Sequence, residues 1–149
     1  MIALIQRVTS ASVKVEDKCV GKINRGIVAL IGVEKGDTTS QADRLLQRIL
    51  GYRIFADVED KMNLSLVDIS CGLLLVPQFT LAADTQKGMR PGFSTAASPE
   101  DGKSLFNYLL EKARQVYSNT EVGEFGADMK VTLVNDGPVT FWLQVGHSK

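Results

Sequence analysis

The stretch Val131-Thr-Leu-Val-Asn-Asp-Gly-Pro-Val-Thr-Phe-Trp-Leu-Gln-Val145 carries the strongest structural signal in this sequence. Its two ends are rich in β-branched and aromatic residues that alternate with other types, which predicts two strands. Gly137 and Pro138 between them predict a tight hairpin tip. A hairpin does not need a proline, which removes a backbone donor and fixes φ. The tip is therefore either an ordinary tight turn or rigid, bare backbone placed to touch a small ligand.

A second informative segment is Leu73-Leu-Leu-Val-Pro-Gln-Phe-Thr-Leu81. Its apolar run predicts a buried strand that Pro77 ends or bulges. Such a strand delivers Gln78, Phe79 and Thr80 at its exit, where binding sites are often built.

The remaining patterns predict a mixed α/β domain. Residues 1–15 read as a long strand whose apolar odd positions share a face with Arg7: Ala3, Ile5, Ala11, Val13 and Val15. Two turns then bracket a short second strand, and residues 27–33 supply a third. The polar Arg7 on this face is either a rim residue whose stem covers apolar surface or a brace that donates to loop carbonyls.

Two amphipathic segments predict helices. Thr38 and Gln41 fit a capping box, and Gly51 suits the position after the last turn. Ser98 and Pro99 open the second helix, whose expected buried stripe runs from Leu105 to Val116. About seven strands and these two main helices predict a single domain over residues 1–149, with a mixed sheet curled towards a barrel and the helices on one side.

Composition excludes several classes of function. The chain has 149 residues with 17 basic and 17 acidic side chains, so its formal charge is zero. A long DNA or RNA groove needs a basic surface, although a protein that grips only the end of a nucleic acid can be neutral. The longest apolar stretch, residues 26–33, is too short to span a membrane. Cys19 and Cys71 form no CxxC pair, which favours reduced thiols in a cytoplasmic protein.

The single histidine limits the chemistry. His147 lies in a tail, residues 146–149, that we expect to be frayed. A Ser-His-Asp or Cys-His apparatus is therefore not expected, nor is a His-rich zinc site, and we predict neither a metal nor a cofactor.

Pro77-Gln-Phe-Thr-Leu81 and Asn135-Asp-Gly-Pro-Val-Thr140 together resemble the two motifs of the D-aminoacyl-tRNA deacylases (D-Tyr-tRNA deacylases). The resemblance covers nearly the whole chain, in order and at the family's spacing. Its other parts are residues 1–8, 32–35, 52–55, 61–64, 82–84, 88–91 and 141–142. One departure is Pro77, where the family motif usually begins with Ser, so a hydroxyl beside the site is lost.

The resemblance implies an α/β fold that forms a two-fold homodimer and hydrolyses the ester of D-aminoacyl-tRNA at the acceptor end. It implies a cis Gly137-Pro138 bond that projects into the partner's pocket and rejects L-amino acids. An Arg at the position of Arg7 braces that tip in the family, and Met129 fits a residue that lines the pocket, although a core methionine is the commoner case. Rejection by exclusion gives the pocket no means of refusing glycine, so Gly-tRNA is an expected substrate.

Two mechanisms are compatible with the residues. Thr80 is the obvious nucleophile, but it has no histidine beside it, and Asp84, four residues on, is a poor base. Alternatively, the backbone N–H groups of Phe79 and Thr80 stabilise the oxyanion, while the 2′-hydroxyl of the terminal ribose assists water. The resemblance supports this second route, which we prefer.

The loop at residues 85–91 is the expected contact with RNA through Lys87 and Arg90, although a solvated loop has the same composition. A protein of a different class also fits the sequence: a catalytically silent dimeric module that binds aminoacyl-tRNA or a free D-amino acid. No DNA and no membrane are expected as partners.

Overall fold

The computed structural model describes residues 1–147 and contains eight strands, three α-helices and one 3₁₀ helix. The strands are β1 (Ile2–Val15), β2 (Lys18–Ile23), β3 (Gly26–Gly32), β4 (Phe55–Ala56), β5 (Met62–Leu64), β6 (Gly72–Pro77), β7 (Thr120–Val122) and β8 (Lys130–Gln144). The helices are α1 (Thr39–Gly51), α2 (Leu66–Ile69) and α3 (Pro99–Val116), and the 3₁₀ helix spans Phe79–Ala82. No helix in this part of the chain is long and apolar enough to cross a membrane.

Six of these strands form one mixed sheet in the order β2-β1-β3-β6-β7, with β8 on the other edge of β1. β1 is antiparallel to β2, β3 and β8, whereas β3, β6 and β7 run parallel. Parallel neighbours need long crossovers, which α1 and α3 supply. The sheet curls until a Cβ on Gly21 of β2 would lie 2.6 Å from the carbonyl oxygen of Val122 in β7. The predicted mixed sheet, nearly closed into a barrel, is confirmed.

Strand β6 is buried on both faces, which explains its unbroken apolar run. Leu73 and Leu75 belong to the core between the sheet and the helices. Leu74 and Val76 belong to a second core inside the curled sheet. The alternation of strand side chains thus divides one apolar run between two cores.

Both predicted helices are present with their predicted starts. Thr38 caps α1 in a capping box with Gln41, and Ser98 caps α3 ahead of Pro99. Two details were wrong. Gly51 is the last residue of α1 rather than the residue after it, and Val116 is 61% exposed rather than part of the buried stripe.

The prediction that the apolar odd positions of β1 share one face is wrong. Ala3 and Ile5 pack into the helix-side core, whereas Ala11 and Val13 pack into the inner core. The cause is a β-bulge at Thr9, because the pairing advances two residues on β1 and only one on β8 there. One extra residue reverses the alternation, so every later side chain changes face.

The predicted hairpin at Gly137-Pro138 is also wrong. Both predicted strands are parts of β8, and each part pairs with β1 instead of with the other. Residues 136–139 stand opposite Arg7 alone, because Gln6 pairs with Thr140 and Val8 with Asn135. The tip is therefore an outward bulge in one long edge strand.

Candidate active site

The carboxyl ends of the parallel strands β3 and β6 open onto a cavity of about 690 Å³. Its lining is mainly apolar and comes from these strands, the start of α3 and the segments before α3 and β8. Pro77, Gln78, Phe79 and Met129 all belong to this lining. Thr80 follows at once and is exposed. The structure therefore brings most of the first motif together with Met129.

The chain leaves the sheet at Gln78, whose N–H still donates to the carbonyl of Ile31 at 2.7 Å. The Gln78 side-chain amide donates to the hydroxyl of Thr80. Within residues 1–147, the backbone N–H groups of Phe79 and Thr80 donate to no acceptor. The first N–H groups of a helical turn have no partner inside that turn. Two adjacent donors are thus available beside the cavity.

The hydroxyl of Thr80 has no base beside it in the described structure. Asp84 is occupied elsewhere, since its carboxylate accepts the Gln86 N–H at 3.0 Å and its backbone pairs with Gly92. The hydroxyl instead accepts a hydrogen bond from the Gln78 amide, which does not take up a proton at neutral pH. This geometry offers Thr80 no activation as a nucleophile.

Pro77 is accommodated because it lies beyond the end of the neighbouring strand. β7 pairs only with Leu73, Leu74 and Leu75 of β6, so no partner on that side requires an N–H from residue 77. The Pro77 ring is buried and lines the cavity. Pro77, the departure from the family motif, therefore adds apolar surface to the cavity and does not interrupt the pairing of the sheet.

The Gly137-Pro138 bulge is held by Arg7, as the resemblance implied. The Arg7 Nε donates to the carbonyl of Asp136 at 2.9 Å, and Nη1 donates to the carbonyl of Ile54 at 2.7 Å. The Gly137–Pro138 peptide bond is cis, and Gly137 has φ +145°. A Cβ on Gly137 would lie 2.8 Å from the Val139 nitrogen, so both the backbone angle and the space require glycine.

Asn135 closes the bulge, a role that sequence reasoning missed. Its side-chain oxygen accepts the Val139 N–H at 2.6 Å, and its amide nitrogen donates to the carbonyl of Val139 at 3.2 Å. It also donates to the Thr140 hydroxyl at 3.0 Å. The asparagine itself could have indicated this role, because Asn side chains in turns often form hydrogen bonds to the backbone a few residues further along.

In one chain, the bulge and the cavity segment lie at different ends of the sheet. Arg7 pairs with Ile27, and Ile27 pairs with Leu73 at the start of β6, whereas Gln78 follows the end of β6. A strand rises roughly 3.3 Å per residue, so these ends are about 16 Å apart. The structure therefore does not bring Gly137 and Pro138 to Gln78, Phe79 and Thr80 within a single subunit.

The predicted RNA-binding loop extends from the cavity mouth. A backbone bridge between Asp84 and Gly92 closes this loop, and Lys87 and Arg90 are exposed on it. Neither cation forms an ion pair with another described residue. Both are therefore available to an external anion.

An ion cluster surrounds the N-terminal ammonium of the chain. The Met1 ammonium donates to Glu34 at 2.8 Å and to Asp37 at 3.0 Å. Burial raises the pKa of Glu34, but the Met1 ammonium and the Gln144 amide outweigh it, so that this pKa lies below its ordinary value. The His147 Nε2 lies 2.7 Å from Asp37 Oδ1. The rest of the tail that we expected to be frayed, Ser148 and Lys149, lies outside the described residues.

Two further observations concern metal binding and thiol chemistry. Nowhere in residues 1–147 do three or more His, Cys, Asp or Glu side chains converge to hold a metal ion. Cys19 is exposed and Cys71 partly buried, and both are free thiols.

Comparisons with known proteins match nearly the whole chain to one family. The sequence pattern of the D-Tyr-tRNA(Tyr) deacylase family matches residues 4–144. A D-aminoacyl-tRNA deacylase of Photorhabdus laumondii is 59% identical over 145 residues, which is 97% of this chain and 100% of that protein. A D-aminoacyl-tRNA deacylase of Escherichia coli is also 59% identical, with the same coverage of both chains.

Two solved structures have the same fold. A protein described as c-Myc DNA Unwinding Element Binding Protein superposes with a TM-score of 0.94 at 37% identity, over 99% of this chain and 100% of that one. A probable eukaryotic D-amino acid tRNA deacylase superposes with a TM-score of 0.81 at 18% identity, over 97% and 98% of the two chains. Because the family pattern and the relatives extend over nearly the whole sequence, this chain belongs to the D-aminoacyl-tRNA deacylase family, a family of hydrolases.

Proposed function

We propose that this protein hydrolyses the ester bond of D-aminoacyl-tRNA, and of Gly-tRNA, and leaves L-aminoacyl-tRNA intact. The observation that carries this proposal is the pair of unbonded N–H groups of Phe79 and Thr80 beside the apolar cavity. Such donors stabilise the oxyanion that forms when water adds to an ester carbonyl. The products are a free D-amino acid and an intact tRNA, so the reaction acts as chiral proofreading in translation, in the cytoplasm.

The reaction we propose is assisted by the substrate. Water adds to the ester carbonyl while the 2′-hydroxyl of the terminal ribose relays the water's proton to the 3′-oxygen. The C–O bond of the tetrahedral intermediate then breaks, which leaves the D-amino acid and the free 3′-hydroxyl. Phe79 and Thr80 would donate to the oxyanion, and Gln78 would hold Thr80 in place through its amide. The absence of a base beside Thr80 in residues 1–147 supports this route over covalent catalysis by Thr80.

We further propose that Gly137 and Pro138 filter chirality in the cavity of a second subunit. Two features support a cross-subunit filter. The bulge is exposed and lies roughly 16 Å along the strand direction from Gln78 of its own chain, and β8 has an unpaired edge within the described part of the chain. A long unpaired edge is usually covered in a stable protein. In a two-fold homodimer, each bulge would enter the partner's cavity, where Met129 lines the wall.

Exclusion is the expected principle of the filter. Discrimination of roughly 10⁴-fold needs about 5.5 kcal/mol. A pocket that merely fits one side chain better supplies about 1–3 kcal/mol. Braced backbone can exceed this, because an L side chain would overlap atoms that Arg7 and Asn135 hold in place. Lys87 and Arg90 would contact phosphates of the acceptor end.

A non-catalytic module that binds aminoacyl-tRNA is the alternative function. Incubation of radiolabelled D-Tyr-tRNA with the pure protein in EDTA separates the two. We expect release of D-Tyr, whereas protection of the ester would support the binding module. A parallel reaction with L-Tyr-tRNA controls for stereochemistry. A second reaction contains competing duplex DNA, because the name of one structural neighbour describes a DNA-binding protein. Inhibition by duplex DNA at low concentration would contradict our expectation that DNA is not a partner.

A further inference from the structure

Two exposed aromatic side chains stand together at the cavity mouth. Phe79 and Phe93 are 63% and 46% exposed, and both line the cavity. Their ring centroids lie 5.5 Å apart with the ring planes 40° from parallel. A single exposed apolar residue is ordinary on a protein surface, but an aromatic pair at the mouth of a cavity is typical of a binding surface.

Backbone contacts hold this pair in position without burying it. Phe79 opens the 3₁₀ helix, and Phe93 follows Gly92, whose N–H and carbonyl bond to Asp84 at 2.9 and 2.7 Å. The Thr95 hydroxyl donates to the carbonyl of Ala82 at 2.7 Å and so ties the two segments together. The backbone segments that carry the two aromatic residues are therefore held together before any ligand arrives.

Three cations belong to the cavity lining or to the loop that joins the aromatic pair. Lys87 and Arg90 belong to the loop between the two aromatic residues in sequence, and Lys35 lines the cavity beside them. None of these cations forms an ion pair with another described residue. Aromatic side chains for bases and cations for phosphates are the combination that binds single-stranded nucleic acid.

We propose that Phe79 and Phe93 form a stacking platform for the base of the nucleotide directly 5′ of the substrate's terminal adenosine. This inference rests on the proposed function, because it assumes that the terminal nucleoside and its ester occupy the cavity. The preceding nucleotide then leaves through the mouth, where the platform lies. Stacking accepts any base, so the platform adds affinity for the single-stranded end without reading its sequence.

The test compares D-tyrosyl esters of adenosine, of the dinucleotide cytidylyl-adenosine, and of the same dinucleotide with an abasic first sugar. The protein variants are Phe93→Leu, which removes the aromatic face, and Phe93→Trp, which keeps one. Val116→Ser, an exposed apolar change on α3, is the matched control. Thermal melting confirms that each variant is folded.

The wild type should have a kcat/KM for the dinucleotide ester about 5- to 150-fold above that for the adenosine ester. The abasic ester should lack most of this gain, because the phosphate alone does not stack. Phe93→Leu should lose this gain, taken as the ratio of the two kcat/KM values within the same variant so that a general effect on the cavity cancels, whereas Phe93→Trp and Val116→Ser should keep it. An undiminished gain in Phe93→Leu, or an equal loss on all three esters, would overturn the platform.

A binding measurement keeps this inference separate from the proposed catalysis. The probe is an unacylated dinucleotide with 2-aminopurine in place of the cytosine, whose fluorescence falls when the base stacks. Quenching by the wild type and by Phe93→Trp, but not by Phe93→Leu, supports the platform even if no ester is hydrolysed. Equal quenching by all three proteins refutes it, and hydrolysis of the adenosine ester reports on the proposed function alone.

Discussion

Arg7 and Asp136 are joined by a 2.9 Å hydrogen bond from the guanidinium Nε to the backbone carbonyl, at the base of the Gly137-Pro138 bulge. The same guanidinium also donates to Ile54, so that one side chain ties the bulge to the segment between α1 and β4. A planar group with several fixed donors can hold two carbonyls at once, which a lysine ammonium does poorly.

The first prediction concerns this brace. Arg7→Lys should loosen the bulge and lower the ratio of D-Tyr-tRNA to L-Tyr-tRNA hydrolysis by roughly 10- to 150-fold, the range for loss of one charged hydrogen bond. Single-turnover deacylation of both substrates measures the ratio. Arg44→Lys is the matched control, since Arg44 is exposed on α1 and its one hydrogen bond to another described side chain goes to Gln47. An unchanged ratio in Arg7→Lys would show that the bulge needs no brace.

Asn135 provides a second prediction. Asn135→Ala leaves the N–H of the buried Val139 without its acceptor, which should cost about 1–3 kcal/mol of unfolding free energy. The melting temperature should fall by roughly 3–10 °C. Asn135→Asp keeps an acceptor for that N–H, so its melting temperature should fall less. Asn107→Ala, on the exposed face of α3, should leave the melting temperature unchanged. Equal melting temperatures for Asn135→Ala and the wild type would show that the hydrogen bonds of Asn135 do not stabilise the bulge.

The third prediction separates the two mechanisms. If the 2′-hydroxyl assists, Thr80→Ala should retain substantial activity, whereas tRNA ending in 2′-deoxyadenosine should be a very poor substrate. The reason is that the Thr80 hydroxyl has an amide rather than a base as its partner. The measurement is the rate of D-Tyr release from both tRNAs, for the wild type and for Thr80→Ala. An inactive Thr80→Ala protein with normal turnover of the 2′-deoxy substrate would restore Thr80 as the nucleophile.

The fourth prediction tests the shared site by complementation. Gly137→Val disturbs the bulge, and Phe79→Pro removes one of the two proposed oxyanion donors at the first position of the 3₁₀ helix, so each variant should be poorly active alone. When the two are unfolded and refolded together, about half of the dimers are mixed and carry one intact site, so about a quarter of wild-type activity should return. No recovery, with mixed dimers present, would place both parts of the site in one subunit. Activity of a folded monomer would exclude the dimeric site altogether.

The fifth prediction follows from filtering by exclusion. Glycine has no side chain to collide with the Gly137-Pro138 backbone, so Gly-tRNA should be hydrolysed together with D-Ala-tRNA and D-Tyr-tRNA, while L-Tyr-tRNA stays intact. One deacylation series at a single enzyme concentration measures all four. Complete resistance of Gly-tRNA, on every tRNA body tried and with rapid D-Tyr release, would mean that the pocket reads the D side chain directly.

Several features of this protein were predictable because they depend on neighbours in sequence. Thr38 and Ser98 cap helices through atoms within three residues, and the apolar run before Pro77 forms a strand wherever both of its faces are covered. The motif around Gln78 could be placed at the exit of that strand for the same reason. Family resemblance then supplied the role of Arg7, which a strand pattern alone does not contain.

Tertiary structure decided which strands pair and where the two motifs lie. The residues of a strand do not specify its partner, so the two halves of β8 looked like a hairpin although β1 pairs with both. The bulge at Thr9 depends on that long-range pairing, and so does the change of face between Ile5 and Ala11. The distance between Gly137 and Gln78 in one chain follows from the same sheet. The sequence by itself therefore determined the local elements and the reactive segments, whereas packing across the sheet decided how they are arranged in space.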